Sequence, residues 1–242
     1  MYNILKKEIN SFLNSLIAYI VIIVFLTGIG LFMWIIPETN VFDYGFADLD
    51  TLFFITPYVF MFLIPAITMR TFAEEKKAGT IELLLTKPLT DWQIIFGKYF
   101  SSFLLVIFAL LPTLIYYYTV YILGNPVGNI DSAAAAGSYI GLIFLGAIFT
   151  SIGIFSSAIT KDQIISFIIA SALCVIVYSG FSSLASINVW GKYADLISQL
   201  GLAYHYSSMS KGLIDSGDIV YFLGVIAIML LTTKLVLETR KW

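Results

Sequence analysis

The sequence predicts an all-α membrane protein, with six transmembrane helices in a single membrane domain spanning 1–242. Three observations lead there. Hydrophobic residues make up 60% of the chain and charged residues 12%, with a mean hydropathy of +0.94, too little polar surface to clothe a soluble domain. Uncharged apolar runs recur that are long enough to cross roughly 30 Å of hydrocarbon. The basic residues fall in alternate gaps between those runs, as a polytopic chain requires.

The elements follow in order. Residues 1–13 place Ile4, Leu5, Ile9, Phe12 and Leu13 at roughly helical spacing, with Lys6, Lys7 and Asn10 elsewhere on the turn. That pattern predicts a helix lying in the interface. The first apolar run, 16–36, is too long for a signal-peptide core and ends in Trp34-Ile35-Ile36-Pro37 rather than at small residues, so it is expected to stay as an anchor. Further spans are predicted at 52–69, 99–123, 133–160, 163–187 and 219–237, the last with Lys234 snorkelling to the interface. Pro57, Pro65 and Pro112 fall inside the second and third spans, where each removes a backbone donor and can kink a helix. In the fourth, Gly137-x-x-x-Gly141 allows close helix approach where lipid supplies no hydrophobic drive.

Charge gives the orientation. With the amino terminus inside, Lys6, Lys7, Arg70, Lys76, Lys77, Lys87, Lys98, Lys161, Lys234, Arg240 and Lys241 are inside, leaving Lys192 and Lys211 outside. This is a strong positive-inside bias, and it puts both termini in the cytoplasm. Residues 70–98 hold too many charges to enter lipid, yet Ile81, Leu83, Leu84 and Leu85 keep the segment apolar enough to pack at a surface. Pro88 breaks it. Thr90 with Gln93 three residues on then reads as a capping box opening the helix of the third span. Gly79 is either a turn-former or a small residue tolerated in a helix.

Several chemistries lack their residues. A P-loop needs a glycine five positions before its Gly-Lys, but Gly97-Lys98 has Trp92 there and Gly191-Lys192 has Ser186, so no nucleotide site is expected on this chain. None of the first five spans carries an ionisable Asp, Glu, Lys, Arg or His, which argues against an ion-driven carrier. Gly180-Phe-Ser182-Ser183 resembles a nucleophile turn, but the sole histidine, His205, is expected in a polar outer loop with nothing to bring it to Ser182. Cys174 is single and mid-span, with no disulfide or metal pattern. No catalytic, cofactor-binding or metal-ligating residue is assigned.

Glu75, Gly79-Thr80, Glu82, Pro88 and Gly97-Lys98, placed after the second span of a six-span chain, resemble the ABC-2 family of ABC-transporter permeases. The run Gly79-Thr-Ile-Glu-Leu-Leu-Leu-Thr-Lys-Pro is most similar to its gliding-motility, GldF-type branch. The resemblance implies a type V exporter-like permease domain of the bacterial inner membrane. Its parts would be an amphipathic helix over 1–13, a cytoplasmic coupling loop over 70–98 and an outer re-entrant segment over 188–217. It implies contact with or support of a separate ATPase by Glu74, Glu75, Lys76, Lys77, Gly79, Thr80, Glu82, Lys161 and Asp162. Tyr204, His205 and Tyr206 would serve an outer gate or a partner contact. The implied partners are a GldA-like ATPase carrying ATP-Mg and a second permease, GldG-like or a copy of this chain, in the lipid bilayer and without nucleic acid. A channel or scaffold docking a partner that is not an ATPase, or an ion-coupled carrier, is the alternative.

Overall fold

The computed structural model describes every residue except 83–85, 87, 188–190, 192 and 240–242, with no side chain described for Ile17 and Tyr44. Leu83, Leu84 and Leu85 of the surface segment, with Lys87, Trp190, Lys192, Arg240 and Lys241, therefore lie outside the described residues. Among the described residues every regular element is helical. Helix α1 (Tyr2–Leu13) is followed by α2 (Leu16–Trp34), a short α3 (Val41–Tyr44), α4 (Asp50–Thr68) and α5 (Arg70–Lys77). Next come α6 (Asp91–Leu110), α7 (Leu114–Leu123), α8 (Ser132–Ile159) and α9 (Gln163–Val175). The chain closes with α10 (Phe181–Ala185), α11 (Ala194–Ser198), α12 (Leu202–Ser210) and α13 (Ser216–Glu238).

Among the described residues five helical stretches are long and apolar enough to cross a membrane, and a sixth is reached if α1 and residues 18–34, bent by 66°, count as one broken span. The third predicted span lies within one helical stretch, Asp91–Leu123, whose hydrogen-bond pattern changes midway. Pro112 lies in a 3-10 turn, Leu111–Thr113, between α6 and α7, because a proline there leaves a carbonyl of the preceding turn without its donor. The fifth span passes from α9 through a π-helical stretch, Ile176–Gly180, into α10. Thr90 and Gln93 form the capping box: Gln93 N donates to Thr90 Oγ1 at 3.3 Å and Thr90 N to Gln93 Oε1 at 3.2 Å.

Helix α8 is the hub, packed against α4, α6, α9, α12 and α13. Leu142, Leu145, Ile148, Phe149 and Ile152 from α8 are fully buried in a core shared with Phe25, Phe60 and Phe222. The glycine pair predicted for close packing receives α12. A methyl group on Gly137 would strike the Met209 carbonyl and one on Gly141 the Tyr206 ring. A second apolar cluster, of Ile4, Phe72, Ile94, Ile95, Ile154 and Leu237, gathers at the opposite end of the bundle, where α1 and α5 lie. Gly79 ends α5 with φ at +70°, so of its two readings the turn-former is the one the backbone adopts.

Candidate functional site

At the α1–α5 end, three separate elements meet on one ammonium group. Lys98, in the second turn of α6, is 1% exposed. Its Nζ donates to Glu8 Oε1 of α1 at 2.9 Å and to the Thr71 carbonyl of α5 at 2.6 Å. Glu75 Oε2 of α5 lies 2.9 Å away as an ion-pair contact outside hydrogen-bond alignment. A lone ammonium taken out of water costs several kcal/mol, so Lys98 is held there only by this ring of acceptors. The Phe72 ring stands 5.1 Å from Nζ and adds a cation–π contact.

The cluster extends to the surface. Lys7 donates to Glu75 Oε1 at 3.0 Å. Burial works against the Lys7 charge, but that bond and the nearby carboxylates of Glu75, Glu8 and Glu74 outweigh it and hold the ammonium above its ordinary pKa. Arg70 donates to Ser15 Oγ at 2.9 Å and lies over the Phe12 ring at 4.4 Å, tying the start of α5 to the α1–α2 junction. A cavity of about 260 Å³ opens between α1 and α5, lined among others by Lys7, Glu8, Arg70, Glu74 and Thr80.

Helix α5 is also pinned from its other side. Ser157 of α8 accepts from Phe72 N at 2.9 Å and Ala73 N at 3.0 Å and donates to the Met69 carbonyl at 2.9 Å. A side chain inserted into the backbone ladder in this way separates two helices in direct succession, here α4 and α5. Lys76 donates to the Ala158 carbonyl, and Lys77 approaches Asp162 at 4.0 Å.

The sequence-selected residues therefore divide. Glu74, Lys77, Gly79, Thr80, Glu82 and Lys161 are exposed, and Asp162 is half-buried at the cap of α9. Glu75 and Lys76 turn inward, because each finds a buried partner on a neighbouring helix. Sequence reading missed Glu8 and Lys98 as a pair. The available signal was Glu8 itself, one turn from both Ile4 and Phe12, the two buried apolar residues of α1.

At the other end, His205 belongs to α12 rather than to an outer loop, and its ring is mostly buried. Its Nδ1 is 2.6 Å from Asp218 Oδ1 and its Nε2 is 2.8 Å from the Gln199 carbonyl, so neither nitrogen is turned to Ser182. Tyr206 is buried and donates to the Phe53 carbonyl at 2.9 Å, which makes it an interior strut, while Tyr204 remains exposed. Among the described residues no group of acidic, His or Cys side chains could hold a metal ion.

These features define a multi-pass helical membrane protein in which a polar surface helix is joined by buried charge and hydroxyl contacts to the bundle. The family model described as ABC-2 family transporter protein matches residues 37–237, and the chain belongs to that family. Comparison with curated proteins gives no match. Membership makes the chain a permease-type subunit, of a family in which the ATPase is typically a separate subunit.

Proposed function

We propose that the chain is the transmembrane permease subunit of an ABC transporter in a bacterial inner membrane, with both termini cytoplasmic. It crosses the bilayer six times and couples ATP hydrolysis on a partner ATPase to export or to a gliding-motility process of the GldF type. Its partners in that reading are a GldA-like ATPase holding ATP-Mg and a second permease, GldG-like or identical. The observation that carries the coupling reading is the Lys98 cluster, since it links α1, α5 and α6 through one buried group. The exposed Glu74, Lys77, Gly79, Thr80, Glu82 and Lys161, together with Asp162, form the ATPase-facing surface. Glu75 and Lys76 act behind it, passing displacement of α5 to α1, α6 and α8. The described part of the outer segment, 193–217, with Tyr204 at its surface, caps the far mouth.

The test is co-purification of the chain with its ATPase. Charge reversal at Glu74 and Lys77 together is expected to weaken the complex. Glu8→Gln is expected to leave the complex intact while lowering the ATPase activity gained on association. Absence of any ATPase in the purified assembly, or wild-type coupling in both variants, would overturn the reading.

A further inference from the structure

His205 has two ring nitrogens and two partners that accept. The Gln199 carbonyl, 2.8 Å from Nε2, has no proton to give, and Asp218 Oδ1, 2.6 Å from Nδ1, has none when ionised. A neutral imidazole carries one N–H and can satisfy only one of them. The arrangement therefore needs one proton more than a neutral ring and a carboxylate supply, and imidazole is the more basic of the two groups. Asp218 is 7% exposed and its Oδ2 has no hydrogen-bond partner among the described residues, so an adjacent positive charge is what makes its burial tolerable.

We infer that His205 and Asp218 form a proton-held latch: imidazolium fastens α12 to the start of α13, and loss of the proton frees α12. Three independent elements converge there. His205 is on α12, Asp218 is in the first turn of α13, and Gln199 caps α11. The Tyr221 ring stacks on the imidazole at 4.0 Å between centroids, its hydroxyl donating to the Leu200 carbonyl, and Tyr204 meets the imidazole edge-on at 5.4 Å. Lys211 and Asp215, from the connection between α12 and α13, line the same cavity of about 550 Å³ as His205 and Asp218. Asp195 lies on α11, four residues before Gln199. Helix α8, against which α12 packs, contains no charged residue, and its Tyr139 hydroxyl is engaged with Thr113.

When the ring is deprotonated, one of the two contacts is lost. The sign follows: the latch is closed while both ring nitrogens carry a proton and opens when one is removed. On the orientation proposed above, it responds to the pH of the compartment opposite the ATPase. The chemistry itself does not depend on that orientation.

His205 is the only histidine in the chain, so nitrogen-15 labelling of histidine gives a single imidazole to follow by NMR in the full-length protein in lipid nanodiscs. Hydrogen exchange of the α12 amides, corrected for the intrinsic effect of pH, reports opening in the same sample. The expected result is that the ring loses its second proton together with about a tenfold loss of protection in α12, as removal of one charge-assisted hydrogen bond requires. Asp218→Asn supplies an amide donor to Nδ1 and leaves Nε2–H for Gln199, so this variant should stay closed with a neutral ring and lose the pH response. His205→Phe keeps the stacking on Tyr221 but removes both donors, and α12 should exchange rapidly at every pH. A neutral imidazole in wild-type protein with α12 still protected, or a pH response that persists in Asp218→Asn, overturns the inference.

Discussion

Lys98 shows what one side chain contributes when its surroundings leave no alternative. Removing it by Lys98→Met takes from Glu8 and Glu75 the buried partner they share and leaves them only the exposed Lys7, and breaking a buried ion pair from one side typically costs about 3–5 kcal/mol. Unfolding of the purified protein in detergent should show a loss of that order. The double variant Lys98→Met with Glu8→Gln should recover part of it, since one stranded charge is gone. Tyr206→Phe tests a neutral contact by the same measurement. It removes the hydroxyl given to Phe53 and should cost roughly 0.5–1.5 kcal/mol. Neither pairing was visible in the sequence. Glu8 and Lys98 are ninety positions apart, and Tyr206 and Phe53 farther still, so local periodicity, which marks Glu8 as inward-facing, does not name a partner.

At the scale of elements, glycines set how closely helices approach. Gly137 faces the backbone carbonyl of Met209, which no rotamer change can move aside, whereas Gly153 faces the side chain of Thr68. Gly137→Ala is therefore expected to displace α12 and raise its hydrogen exchange, with no single-site rescue. Gly153→Ala should cost roughly 1–3 kcal/mol in thermal unfolding, and Thr68→Ala should restore part of that by clearing the hydroxyl and methyl from the contact. The sequence made the first interface legible through the spacing of Gly137 and Gly141, although not which helix fills it. The limits of α4 and α8 were also legible, because each is an apolar run bounded by charge or a cap. The 3-10 turn at Pro112 was harder to foresee: Pro57 and Pro65 stay inside α4, and only packing decides which proline disturbs its helix.

For the whole molecule, the two ends of the bundle differ in kind. One end is held by charge around Lys98, the other by aromatic rings and carbonyl acceptors around α12. The asymmetry of the basic residues already separated these ends in the sequence. The partners within each end were not separable, because they come from distant elements. The proposed orientation has a direct check: with the buried Cys174 replaced by alanine, a cysteine at the exposed Glu74 should react with a membrane-impermeant reagent only from the cytoplasmic side. A cysteine at Ser207 should react only from the opposite side. Labelling of both from one side would sink the topology.

The Ser157 oxygen bears on how motion would travel. One hydroxyl uses its proton and accepts two others to close the gap between α4 and α5, and it belongs to the helix with the most neighbours in the bundle. A tug on the polar helix therefore cannot be absorbed as local fraying at its root. It is delivered to the central pillar, and replacing Ser157 with alanine would leave a slack joint in place of a stiff crank.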